Sequence, residues 1–175
     1  MFKKFLILPI FFLIFFTSNP SYANNEILFI DIDYIFTNSS AGKKVNEEIK
    51  KKSKIVNDEY KTYKKKTEEK KTKLLNQKKI LSNEEFKKQY MTLEKEVNDF
   101  NKKISIKNNR LINLKKQIRG EFTKQIKIIL QNYAQDNSVQ MILNKDRILV
   151  GKKDLDITKK ILDIFNQNVK IIKVE

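Results

Sequence analysis

Apolar positions along this chain follow three different rhythms. Phe5 to Phe16 is a nearly unbroken apolar run, Ile27 to Ile32 is a shorter one rich in β-branched and aromatic residues, and from Val45 apolar residues recur every three or four positions. The short run predicts a buried strand, and the long periodic stretch predicts helix. In the first half of that stretch the stripe is Val45, Ile49, Val56, Tyr60, Tyr63, Leu74 and Leu81, with Lys52, Thr67, Lys70 and Gln77 at positions where apolar residues are expected. No apolar residue lies between Lys64 and Lys73. Burial cannot hold that segment, so it is expected to be the most mobile part.

Leu81 to Glu85 interrupts the pattern, and Ser82 and Glu85 have capping-box spacing, so a hairpin tip is placed at 81–85. The second half has a fuller stripe, running from Phe86, Tyr90, Leu93, Val97, Phe100 and Ile104 through Leu111, Leu114, Ile118, Phe122, Ile126 and Ile129 to Tyr133, broken once at Asn108. Antiparallel pairing buries both stripes on each other. Legs of about forty and fifty residues predict an arm projecting roughly 50 to 60 Å. The domain reading is therefore a helical hairpin over 43–119 and a discontinuous body built from 24–42 and 120–175. Gly42, Gly120 and Gly151 are the only glycines; Gly42 and Gly120 flank the arm, where a helix can start, bend or stop.

In the body, Tyr34 to Phe36 suits a helical turn, Thr37 to Ser40 offers caps, and Asp136-Asn137 ends the long helix. Val139 to Asn144 and Ile148 to Val150 flank Asn144-Lys145-Asp146-Arg147 and predict a β-hairpin. Asp154 or Asp156 can cap a last helix whose apolar face is Ile157, Ile161, Ile164 and Phe165. Candidates for the body core or for contacts between copies are Ile27, Phe29, Ile30, Ile32, Phe36, Met141, Leu143, Ile148, Val150, Ile157 and Ile161. Three short strands and a few helices make a marginal core with open strand edges, which favours self-association.

The apolar run at the N-terminus reads as an address. Met1 to Lys4 supplies positive charge, Phe5 to Phe16 is too short to span a bilayer comfortably, and Ser21-Tyr22-Ala23 is a small-x-small site, predicting a signal peptide over 1–23 cleaved after Ala23. The mature chain is then expected outside the cytosol, with a bacterial periplasm the better fit.

Charge changes the picture most. Lys43 to Arg119 holds 25 Lys and Arg against 11 Asp and Glu, a net of +14, whereas the rest of the chain after residue 23 has 10 of each. A codon-driven excess of lysine would load the body as well, so the asymmetry points to an acidic client, anionic lipid or nucleic acid. Lys64, Lys65, Lys66, Lys70, Lys71, Lys87 and Lys88 are the candidate basic contacts. Tyr60, Tyr63, Phe86, Tyr90, Met91 and Phe100 are open to two roles, packing within the seam or a promiscuous apolar grip on a client.

Catalytic chemistry has no foothold. The chain has no Cys and no His, which removes thiol chemistry, imidazole bases and the commonest metal sites. Glu47-Glu48, Glu68-Glu69 and Glu84-Glu85 are adjacent on helices, so their side chains diverge and cannot share a proton. Gly42-Lys43-Lys44 lacks the first glycine and the hydroxyl residue of a phosphate loop. Asp31, Asp33, Asp154 and Asp156 are read as strand ends and caps. No enzyme, cofactor, catalytic group or metal site is expected.

The order of these elements, ILFIDIDYIF, then SSAGKK, a long helical hairpin, VQMILNKDRILVG and LDITKKILDIFN, resembles the Skp/OmpH family of periplasmic chaperones. The likeness covers essentially the mature chain, and its most specific pieces are the strand pair followed by Asp156-Ile157-Thr158 opening the last helix, and the Phe36 to Gly42-Lys43 entry into the arm. The resemblance implies an α+β fold in which a small β-barrel-type body forms on oligomerisation, as a homotrimer, with a long antiparallel α-helical hairpin, or tentacle, projecting from each subunit. It also implies an ATP-independent holdase that binds unfolded outer-membrane β-barrel proteins and prevents their aggregation. A lipopolysaccharide contact proposed in that family cannot be carried over to particular lysines of this arm. The alternatives are an envelope coiled-coil scaffold or anionic-lipid-binding protein, and, against the signal peptide, a nucleic-acid binder; no nucleic acid is expected as partner.

Overall fold

The computed structural model describes residues 27–173; the signal-peptide segment lies outside them. The chain order is strand β1 (Ile27–Ile30), helix α1 (Ile32–Asn38), helix α2 (Ser40–Gln77), helix α3 (Asn83–Asp136), strand β2 (Met141–Asn144), two short 3-10 turns (Lys145–Arg147 and Lys153–Leu155) and helix α4 (Thr158–Asn168). At 1.5 Å per residue, the 38 residues of α2 run about 57 Å and the 54 of α3 about 81 Å.

The first helices are set by their caps. Asp31 accepts from the Tyr34 amide at the start of α1. Ser39, fully buried, stops α1 and starts α2: its amide donates to the Ile35 carbonyl while its hydroxyl accepts from the Gly42 amide at 3.1 Å. The two helices turn so tightly that a Cβ on Gly42 would meet the Phe36 carbonyl oxygen and the Ser39 hydroxyl. Gly120 behaves differently. Helix α3 continues through it, so the stop entertained at this glycine does not occur, and a Cβ there would meet nothing within 4 Å.

The sheet corrects the sequence reading. Among the described residues it has two strands, and they are parallel, with Ile27 opposite Met141 and Phe29 opposite Leu143. The expected hairpin between Val139–Asn144 and Ile148–Val150 is absent because the turn at Lys145–Arg147 carries the chain away from β2. The opposite edge of β1 is taken instead by the segment before α4: the Ile157 amide donates to the Phe29 carbonyl at 3.0 Å, and Phe29 bridges Asp156. Asp156 locks this segment, accepting from the Thr158 amide and hydroxyl and from Lys145 at 3.0 Å. Burial raises the Asp156 carboxyl, but those hydrogen bonds and the lysine charge together outweigh it and lower its pKa.

Behind the sheet, Ile35, Phe122, Ile126, Ile161 and Phe165 form the centre of one core shared by α1, α3 and α4. Phe122 packs edge-on against Phe36 and tilted against Phe165, both at 5.0 Å between centroids. Of the expected core residues, Phe29, Ile30, Ile157 and Ile161 are buried, and Ile32, Phe36, Leu143 and Ile148 are half-buried. Ile27, Met141 and Val150 are exposed in the single chain, Val150 to 92% beside a fully exposed Leu149. One copy therefore has no core for these three to enter.

The two helical glycines yield opposite expectations. Gly42→Ala forces α1 and α2 apart and should lower stability by about 1–2 kcal/mol, whereas Gly120→Ala should raise it by about 0.5–1 kcal/mol. Urea unfolding of the two variants beside the parent checks both signs; a stabilised Gly42→Ala would show that the joint yields freely.

Candidate functional site: the basic helical arm

The arm is one antiparallel pair of helices closed by a short turn at 78–82. Ser82 caps α3 through a complete capping box: its hydroxyl accepts from the Glu85 amide, and the Glu85 carboxylate accepts from the Ser82 amide at 3.2 Å. The turn therefore lies just before the 81–85 expected from the sequence, because the capping box makes Ser82 the cap and puts Asn83 to Glu85 in the first turn of α3. Ile80, in the turn, is 84% exposed beside Lys78 and Lys79.

Below the tip, packing between the legs alternates with charge. Tyr63 lies flat on Phe100, with centroids 3.6 Å apart and planes 11° apart, and Tyr60 stacks on the same ring at 6.5 Å. Val56 and Ile104 are buried in the arm, as is Leu74 nearer the tip. Two ion pairs cross between the legs, Lys107 to Glu59 at 2.5 Å and Lys70 to Glu96 at 2.6 Å. The hydrogen bond to Glu96, helped by its charge, raises the Lys70 pKa.

Against this geometry the sequence candidates separate into groups. Tyr60, Tyr63 and Phe100 come together as one aromatic stack inside the hairpin, while Phe86 and Tyr90 stack on each other at 6.2 Å with Lys78 over the Phe86 ring at 5.6 Å. Met91 stands apart, 58% exposed. Lys64, Lys65, Lys66, Lys71, Lys87 and Lys88 are exposed and make no ion pair among the described residues; Lys70 is the one of the seven tied across the hairpin. The Lys64 to Lys73 segment stays helical in spite of its missing apolar stripe, and Lys70 to Glu96 is the clasp that crosses it.

Other residues matter that periodicity did not single out. Glu59 and Lys107 form the lower clasp, a pairing that a register counted back from the Ser82 cap could have indicated. Arg119 binds Asp33 and lies 4.8 Å from the Phe36 ring centroid, so one side chain of α3 holds α1 where the arm leaves the body. No helix among the described residues is long and apolar enough to cross a membrane, and none of their His, Cys, Asp or Glu residues cluster as a metal would require.

A family model described as outer membrane protein (OmpH-like) matches residues 26–165. Among curated proteins none matches the sequence significantly. Among solved structures the chain is similar to a protein of Caulobacter crescentus CB15 described as an OmpH-like outer membrane chaperone. The TM-score is 0.75 at 15% identity, covering 85% of this chain and 88% of the other, a likeness of fold. With the family model spanning most of its length, this chain belongs to the OmpH-like outer membrane protein family, whose members are periplasmic chaperones of outer-membrane proteins and not enzymes.

Proposed function

We propose that this protein is an ATP-independent holdase of the bacterial periplasm that binds unfolded outer-membrane β-barrel proteins and keeps them from aggregating. The observation that carries the reading is the arm itself, a +14 hairpin whose aromatic seam is only half-buried. Long-range attraction collects an acidic unfolded chain, and many small apolar contacts then hold it without a fixed geometry. None of this requires nucleotide hydrolysis or a catalytic group. Residues 1–23 act as a cleaved signal peptide that delivers the chain to the periplasm.

The working unit is a homotrimer. Ile27, Met141, Leu149 and Val150 are exposed apolar side chains, and among the described residues the outer edge of β2 has no partner strand. Closure of these edges by neighbouring copies into a barrel-type body solves the exposure that a single chain leaves. The arms then stand around a common cavity with basic and partly apolar walls.

A second reading, contact with anionic lipid, is favoured by the tip. Ile80 is exposed next to Lys78 and Lys79, an arrangement in which cations attract headgroup phosphates and one apolar side chain enters the interface. Lipopolysaccharide offers the same phosphate chemistry.

Three measurements test these statements. Raising salt toward 1 M, where the Debye length is about 3 Å, should slow association with an unfolded acidic outer-membrane protein by about tenfold or more; an unchanged rate removes electrostatic capture. The solution mass of the mature chain should be three times that of one copy, and a monomer defeats the cage. Vesicles containing phosphatidylglycerol should bind the protein more tightly than phosphatidylcholine vesicles, and Ile80→Ser should weaken that binding while aggregation suppression persists. Equal binding to both vesicles eliminates the lipid reading.

A further inference from the structure

Between Lys64 and Lys73 helix α2 offers no apolar side chain, yet the stripe on α3 continues opposite it. Leu93 and Val97 remain half-buried there. The legs consequently leave a groove of about 620 Å³ near the tip, with the half-buried Leu93 as its apolar floor beside the buried Leu74, Lys73 on the α2 wall and Lys88 on the α3 wall. Its other charged groups are already engaged: Lys70 holds Glu96 at 2.6 Å, and Glu85 is committed to the Ser82 cap. Lys73 and Lys88 have no ion-pair partner among the described residues. Leu93 also borders a hollow of about 400 Å³ on the other side of the seam, but there Glu68 and Glu94 outnumber Lys71. The two faces of the distal arm thus differ in sign.

We propose that the basic groove is a docking site for an extended, unfolded segment that carries an apolar side chain next to a carboxylate. The apolar group lies on Leu93, supplying the contact that α2 withholds between Lys64 and Lys73, and the carboxylate sits between Lys73 and Lys88. Charge selects the occupant: a neutral apolar segment leaves both lysines unneutralised, and a basic one is repelled. The proposal rests on the holdase reading and gives it a local rule, that acidic-apolar segments of a client are gripped near the tip. A segment of a second copy is the competing occupant.

The test uses the full mature chain and a soluble twelve-residue peptide that alternates Phe and Asp with Ser, read by anisotropy of a neutral dye. Replacing its Asp by Asn should weaken binding about fivefold to tenfold at 0.15 M salt. The double variant Lys73→Glu/Lys88→Glu should lose the same preference. Lys43→Glu/Lys44→Glu, which alters net charge equally at the base of the arm, should change affinity less than twofold. Equal losses in both variants would assign the effect to the overall field and overturn the groove. A photoreactive residue at Gln89 should cross-link to the peptide; cross-links to a second copy alone, or none to the peptide, overturn it as well. Aggregation suppression by the unmodified chain, measured in parallel, separates the two claims. If suppression is present but the Asp preference is missing, only the groove fails; if the preference is present without suppression, the holdase reading fails.

Discussion

The parallel pairing of β1 with β2 is the constraint on which the rest depends. Parallel strands cannot be joined by a tight turn and need a crossover, and here the crossover is the entire arm. Because both strands run the same way, the chain that leaves β1 through α1 and α2 must come back past its starting point before entering β2. That is why α3, at 54 residues, is so much longer than α2, at 38. The surplus of α3 supplies Phe122, Ile126 and Ile129 to the core beside the sheet. One helix therefore serves the arm with its first half and the body with its second.

The arm depends on a different balance. Apolar contact is concentrated in patches, at the Tyr60, Tyr63 and Phe100 stack and at Leu74, and ion pairs connect the legs between them. Exposed ion pairs contribute little each, typically under about 1 kcal/mol, so register comes from the aromatic stack and the capped tip more than from charge. The uncompensated lysines add mutual repulsion along α2, which helix propensity and the seam must outweigh. A surface selected only for stability would not carry it.

Local periodicity made much of this legible. The stripe from Phe86 to Tyr133, the capping box at Ser82 and Glu85, the helical turn at Tyr34 to Phe36 and the apolar face of α4 are all short-range patterns, and each formed as read. The β-hairpin did not. Val139–Asn144 and Ile148–Val150 flank a turn-rich tetrapeptide, and nothing local reveals that the first run prefers β1, far away in sequence, or that the second leaves the sheet. Ile27, Met141 and Val150, candidates for the body core or for contacts between copies, are exposed in the single chain, since apolar character marks a need for cover without saying which chain provides it. The aromatics of the arm were ambiguous between seam and grip, and the structure places Tyr60, Tyr63 and Phe100 in the seam with part of their surface still open.

Where the arm meets the body, Arg119 is pinned between the Asp33 carboxylate and the Phe36 ring, next to the tight joint at Ser39 and Gly42. Mechanically this is the short end of a lever. With α2 about 57 Å long, each degree of rotation about the base carries the tip through about 1 Å. Because α3 continues unbroken through Arg119 into the core, such a rotation has to be taken up as curvature of that helix, and a slight bend beside one arginine is magnified at the tip.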